Sequence, residues 1–164
     1  MAELETVTFR EQVLPGDAAL VRGIVASTGF FHEHEIAVAV ELVEERLSEG
    51  PASGYHFLFA ERGGRTVGYS CFGEIACTRG SYDLYWIAVH DDCRHLGIGR
   101  VLLARTEALI AGRQGRAIWV ETSGQAKYLP TRQFYLRGGY AEAALLKHFY
   151  DAGDDKVMYV KYLG

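Results

Sequence analysis

The stretch Asp83-Leu84-Tyr85-Trp86-Ile87-Ala88-Val89, followed four residues later by Arg94-His95-Leu96-Gly97-Ile98-Gly99, decides how this chain is read. Its first part is apolar and β-prone, which predicts a strand from Leu84 to Val89. A helix is expected to start at Arg100, because Leu102, Leu103, Leu109 and Ile110 recur at i, i+1, i+7 and i+8 and give it one apolar face. Between the two lies a glycine turn. Gly97 and Gly99 lack Cβ atoms, so the backbone there can take unusual dihedrals and approach a ligand closely, while the following helix offers unpaired amides and the positive end of its dipole. The guest expected is a phosphate or pyrophosphate. A dinucleotide fingerprint needs a third glycine where Leu102 stands, and a nucleotide-triphosphate loop needs Gly-Lys-Ser/Thr; both are absent.

Further along, Ile118-Trp119-Val120-Glu121-Thr122 reads as a buried strand that Ser123-Gly124 ends. Thr131 to Arg137 then reads as a helix stopped by Gly138-Gly139, with Tyr140 opening another strand. The turn, with its Arg-x-x-Gly-x-Gly pattern, resembles the coenzyme A loop of the GNAT acetyltransferases. Phe134-Tyr135 with Gly139-Tyr140 resembles that family's Phe-Tyr-x-x-x-Gly-Phe/Tyr signature. The two motifs stand in the family's order, and the resemblance is strongest from Tyr82 to Tyr140.

It implies an α/β acyl-CoA N-acyltransferase fold, with a central mixed, mostly antiparallel sheet flanked by helices, in a single domain over residues 1–164. Acetyl-CoA is the implied co-substrate, with no metal. The main chain of Ile87, Ala88 and Val89 is implied to hold the pantetheine arm. Arg94, His95, Leu96, Gly97, Ile98, Gly99 and Arg100 are implied to hold the pyrophosphate. Tyr135 falls at the family position for the acid that serves the leaving thiolate. Many members carry asparagine seven residues before that tyrosine, where this chain has Tyr128.

The chemistry sets further demands. A phenol near pKa 10 facing a thiol near 8.5 makes complete proton transfer uphill by roughly 2 kcal/mol, so hydrogen bonding to sulfur is an alternative to full protonation. An alkyl amine near pKa 10.4 must lose a proton before attack, a burden of roughly 4 to 5 kcal/mol at pH 7. Asp83, which resembles a family glutamate at the start of the loop strand, and Glu121 are the candidate bases, directly or through water. Phe30, Phe31 and Glu33, in a stretch where the family's first helices wall the acceptor site, are candidate substrate contacts. His32 and His34 lack a third ligand at suitable spacing, so no metal is expected.

Composition agrees. With 164 residues, 49% of them hydrophobic, the chain can bury a core of its own, and a net charge of −4 with no basic run argues against nucleic acid. No apolar stretch reaches membrane-span length, and Met1-Ala2-Glu3-Leu4-Glu5 lacks the features of a signal peptide. A cytoplasmic location with Cys71, Cys77 and Cys93 as reduced thiols is expected. Other elements expected are a strand at Thr6–Phe9, a helix capped by Asp17 and running to Ser27, a helix over Glu35–Leu47, and strands over Tyr55–Ala60 and Thr66–Cys77 around the turn Arg62–Arg65. Two further strands, Leu145–Tyr150 and Lys156–Tyr162, are expected around Asp151–Asp155. The function expected is transfer of an acetyl group to a primary amine, on a small molecule or a protein, in a ternary complex. A non-catalytic acyl-CoA-binding or regulatory module is the alternative, and a homodimer is left open.

Overall fold

A computed structural model describes residues 6–164; the acidic Met1–Glu5 segment of the location argument lies outside the described residues. The chain runs β1 (Val7–Arg10), α1 (Asp17–Ser27), α2 (Glu33–Glu49), β2 (His56–Arg62), β3 (Arg65–Glu74), β4 (Ser81–Val89), α3 (Ile98–Gly112), β5 (Ala117–Ser123), α4 (Leu129–Arg137), β6 (Ala141–Asp151) and β7 (Asp154–Tyr162). Strand order is β1-β2-β3-β4-β5-β7-β6. β4 and β5 are parallel, whereas β1/β2, β2/β3, β5/β7 and β6/β7 are antiparallel, so the expected mixed, mostly antiparallel sheet with flanking helices is present. Two compact units emerge: residues up to Gly73 with Trp86–Thr106, and Glu74–Tyr85 with Glu107–Gly164.

In the first unit, α2 buries Ile36, Ala39, Val40 and Val43, the i, i+3, i+4, i+7 stripe of an amphipathic helix. Ile36, Ala39 and Val43 join Val21, Ile24 and Val25 of α1 against Phe57, Phe59, Tyr69 and Cys71 of β2 and β3. Burying each large aliphatic side chain here contributes roughly 1.5–3 kcal/mol. The β2–β3 turn is Gly63-Gly64, with φ of 58° and 74°, a two-residue reversal whose twist matches that of the strands. α3 is tied to β3 by buried hydroxyls: Thr106 Oγ1 donates to the Leu102 carbonyl at 2.7 Å and lies 2.7 Å from Ser70 Oγ.

In the second unit, α4 ends as expected, with Tyr140 N–H bonding the Tyr135 carbonyl at 3.0 Å and Gly139 at φ 90°. The β6/β7 hairpin turns at Ala152-Gly153, and its ladder is irregular. Leu146 pairs with Lys156 and Asp151 with Asp154, so the four residues Lys147–Tyr150 bulge out opposite Asp155. His148 takes φ 57° there; its N–H bonds Asp155 Oδ1 at 2.9 Å and its Nδ1 accepts from Gly153 N–H at 2.8 Å.

Several sequence expectations need correction. The loop helix begins at Ile98, two residues before Arg100. β3 stops at Glu74; Cys77 lies beyond it at φ 63°, a dihedral no strand sustains. Tyr140 precedes β6 instead of opening it. β5 is not buried throughout, because Glu121 faces solvent. Asp17 is the first residue of α1, and Gly16 holds the cap position. Its carboxylate, 1% exposed, instead takes a two-pronged ion pair from Arg10 at 2.8 and 2.9 Å and a bond from Leu14 N–H at 2.7 Å. Arg10 also reaches Glu61 at 2.7 Å and lies over the Phe59 ring at 4.5 Å, which joins the entry to α1 to β1 and β2.

Removing one side of such a pair strands the other. Asp17→Ala is expected to lower the unfolding free energy in urea by about 3 kcal/mol or more. Adding Arg10→Met should recover part of the loss, and equal stability of Asp17→Ala and wild type would show that the pair does not anchor α1.

Candidate active site

The approach to the loop is pinned from three directions within the first unit. Asp91 N–H bonds Ser27 Oγ at 3.0 Å, His90 N–H bonds the Val67 carbonyl at 2.7 Å, and Arg65 grips Asp92 with contacts of 2.9 and 3.1 Å. The Arg65 guanidinium is the chief reason the Asp92 carboxyl is lowered to about 2. Cys93 is buried before the loop and Ile98 after it, while Arg94 to Gly97 are exposed. Such a segment has fixed ends and a solvent-facing backbone.

His95 and Gly97 both take left-handed dihedrals, φ 65° and 79°. A side chain pays little heed to space here: an ideal Cβ on Gly97 would meet no protein atom within 4 Å. The backbone therefore faces an open approach at the head of the 15-residue helix α3, where amide N–H groups and the helix dipole favour an anion. The residues present fit a pyrophosphate. Leu96 is 50% exposed, and Arg100 is exposed. The Arg94 guanidinium lies 3.0 Å from Asp91 and 5.7 Å from the centre of the Phe30 ring, so Phe30 sits beside the loop. Ala88 is buried in the core, with Ile87 and Val89 half-buried around it.

Phe31 packs edge-on against Trp86 at 5.1 Å and against the core. Glu33, in the first turn of α2, pairs with Arg22 at 2.5 Å. His32 and His34 stack at 5.7 Å, and no cluster of three or more His, Cys, Asp or Glu suited to a metal occurs among the described residues.

In the second unit, register decides the geometry. Paired residues on neighbouring strands share a face, and successive residues alternate. Asp83 pairs with Trp119, Glu121 with Met158, and Ser123 with Lys156. Asp83, Trp119, Glu121, Ser123 and Lys156 therefore occupy one face, consistent with the bond of 3.3 Å from Trp119 Nε1 to Ser81 Oγ. Tyr82, Leu84, Ile118, Val120, Val157 and Tyr159 occupy the other, and all are buried. Tyr135 packs on that second face, 6.3 Å from Tyr159 and 5.6 Å from Tyr140 between ring centres. The candidate acid and the candidate bases thus stand on opposite faces of the same strands. The β4/β5 register runs from Ser81↔Ala117 to Asp83↔Trp119, and both strands continue beyond it.

Burial pushes the Tyr135 phenol well above its usual range, so it stays protonated. Desolvation raises the Asp83 carboxyl, Glu121 raises it further, and Lys156 opposes both. Glu121 is exposed and bonds Lys156 Nζ at 2.8 Å, while Lys156 lies 4.2 Å over the Phe149 ring. Tyr150 is pushed up to about 12, first by burial and then by Glu121, Asp154 and Tyr128. Lys156, Phe149 and Tyr150 were not singled out as site residues from the sequence. Their approach to Glu121 depends on the β5/β7 register and the bulge, which no local motif announces.

A family model described as an acetyltransferase (GNAT) domain matches residues 53–142. A protein of Methanocaldococcus jannaschii, named an uncharacterized N-acetyltransferase, is 34% identical over 108 residues, 64% of this chain; the match spans 65% of that relative's length. The crystal structure of a GNAT-family protein from Desulfovibrio desulfuricans is 51% identical, covers 97% of this chain and 100% of its own, and superposes with a TM-score of 0.95. A Salmonella typhimurium protein solved with its cofactor acetyl-CoA shares the fold at a TM-score of 0.74 and 17% identity, over 97% of this chain and 95% of its own.

The loop geometry predicts the effect of a side chain at position 97. Gly97→Val places a β-branched residue at a positive φ, which costs about 1–3 kcal/mol locally and crowds the open approach. Coenzyme A affinity measured by calorimetry is expected to fall at least about tenfold while the circular dichroism spectrum is unchanged. Wild-type affinity would remove the loop from anion binding.

Proposed function

The chain belongs to the GNAT acetyltransferase family, and we propose that it moves an acetyl group from acetyl-CoA to a primary amine by direct transfer in a ternary complex. When bound, acetyl-CoA supplies the acetyl group as an activated thioester. The observation that supports the reading is the placement of groups on the second unit's strands: a buried phenol, kept protonated by burial, on one face and the Asp83 and Glu121 carboxylates on the other. Transfer to an amine needs both. The nitrogen must shed a proton as its bond to the acyl carbon forms, and the sulfur must gain a hydrogen-bond donor as the carbon–sulfur bond breaks.

Asp83 or Glu121, acting through water, takes the amine proton in this reading. Tyr135 donates to the sulfur. Because burial raises the phenol further above the thiol, full proton transfer is more uphill than the roughly 2 kcal/mol of the unperturbed pair, which favours hydrogen-bond donation over complete protonation. Arg94 to Arg100 cradle the pyrophosphate, chiefly through backbone amides, and the main chain of Ile87 to Val89 receives the pantetheine arm. Phe30, Phe31 and Glu33 contribute to the acceptor wall. The reading takes residues 1–164 as one catalytic domain acting in the cytoplasm, where the free Cys71, Cys77 and Cys93 stay reduced. No described helix is long and apolar enough to cross a membrane.

The test is a panel of small and peptidyl primary amines with acetyl-CoA, read by thiol release. Tyr135→Phe should retain coenzyme A affinity and lose about 10² to 10³ in turnover. An unaltered rate in that variant would take Tyr135 out of the reaction, and thiol release with no amine in the panel would favour a coenzyme-binding module.

A further inference from the structure

Lys156 is a cation placed among the carboxylates of the candidate base. On the Asp83 face of the second unit, its ammonium bonds Glu121 at 2.8 Å, lies 4.2 Å from the centre of the Phe149 ring, and has a side chain only 12% exposed. The register fixes this arrangement: Lys156 pairs with Ser123, two residues along β5 from Glu121, which is itself two residues from Trp119, the partner of Asp83. The charged groups on this face include Asp83, Glu121 and Asp154, the last bonded to Ser123, so Lys156 is a single cation set among three carboxylates. The bulge of Lys147–Tyr150 brings the Phe149 ring over the ammonium.

We propose that Lys156 is a positioning residue of the acetyl-transfer site, which holds Glu121 in place and keeps Asp83 in its proton-accepting form. The proposal rests on the reading of Asp83 as the base. The charged groups whose fields act on Asp83 are Glu121 from β5 and Lys156 from β7, with opposite effects. A carboxylate between a like charge and an opposite one answers to both, and the sign of the response identifies each. Without Lys156, Glu121 and Asp83 face each other uncompensated, and a proton is retained on Asp83 to higher pH. Without the Glu121 charge, Lys156 acts on Asp83 unopposed, and the proton leaves at lower pH.

Carbon-13 NMR of aspartate side-chain carboxyls tests this on the full chain, with the Asp83 signal assigned by its disappearance in Asp83→Asn. Lys156→Met is expected to raise the Asp83 titration midpoint by about half a pH unit or more, and Glu121→Gln to lower it. Lys156→Arg should restore the wild-type value. A purely structural lysine would not move the two midpoints in opposite directions. A midpoint within about 0.2 units of wild type in Lys156→Met would overturn the proposal, and Lys156→Gln takes its place in this test if Lys156→Met fails to fold. The base reading is tested apart from this by the pH dependence of acetyl transfer to butylamine. If Asp83→Asn keeps the wild-type acid limb while the midpoints shift as expected, Asp83 is not the base and the charge coupling stands.

Discussion

The two-residue repeat of β4, β5 and β7 governs where Asp83, Glu121 and Lys156 stand. Once Asp83 is paired with Trp119 and Glu121 with Met158, the carboxylates and Lys156 must share a face, and the apolar set from Tyr82 to Tyr159 must share the other. A slip of one residue at β7 would move Lys156 to the buried side and Tyr159 to the carboxylate side. The hydrophobic drive to bury Ile118, Val120, Val157 and Tyr159 therefore also fixes the electrostatics of the opposite face. Stability and chemistry share one constraint here.

The separation of faces matters for how two proton requirements coexist. Tyr135 sits among Phe134, Tyr140 and Tyr159, surroundings that keep its phenol protonated. Asp83 sits half-buried near a second carboxylate and an ammonium, surroundings that leave its charge state sensitive to its neighbours. A donor and an acceptor placed side by side would pair with each other and lose both functions. On the Tyr135 side, Lys161 adds a clamp: its Nζ bonds Glu107 at 2.7 Å and the Gly138 carbonyl at 2.8 Å, which fixes the end of α4.

Much of this was legible in the sequence where the governing interactions are local. The glycine turn, the strand before it, the Gly63-Gly64 reversal and the helix stop at Gly138-Gly139 depend on residues within a few positions of each other, and each is present, with boundaries shifted by one to three residues. Asp17 shows the limit of such reasoning. An aspartate at a helix start suggests a cap, but Arg10 from β1 competes for the carboxylate and wins with two bonds. Lys156 looks like an ordinary strand residue in the sequence for the same reason. Its partner Glu121 is 35 positions away, and only the antiparallel register reveals the approach. Positions set by distant pairing are silent in a single chain read from left to right.

The bulge at Lys147–Tyr150 has a consequence for how this scaffold can diverge. Leu146↔Lys156 on one side and Asp151↔Asp154 on the other bracket the bulge in register. Residues can be gained or lost in that segment without sliding β6 along β7, and so without exchanging the two faces. Phe149 and Tyr150, about half exposed and in edge-to-face contact, are carried on this tolerant segment. The surroundings of the carboxylates thus have evolutionary slack, while the strands that align the carboxylates do not. Variation in what approaches Glu121 can accumulate by changes of loop length, with the folding core left as it is.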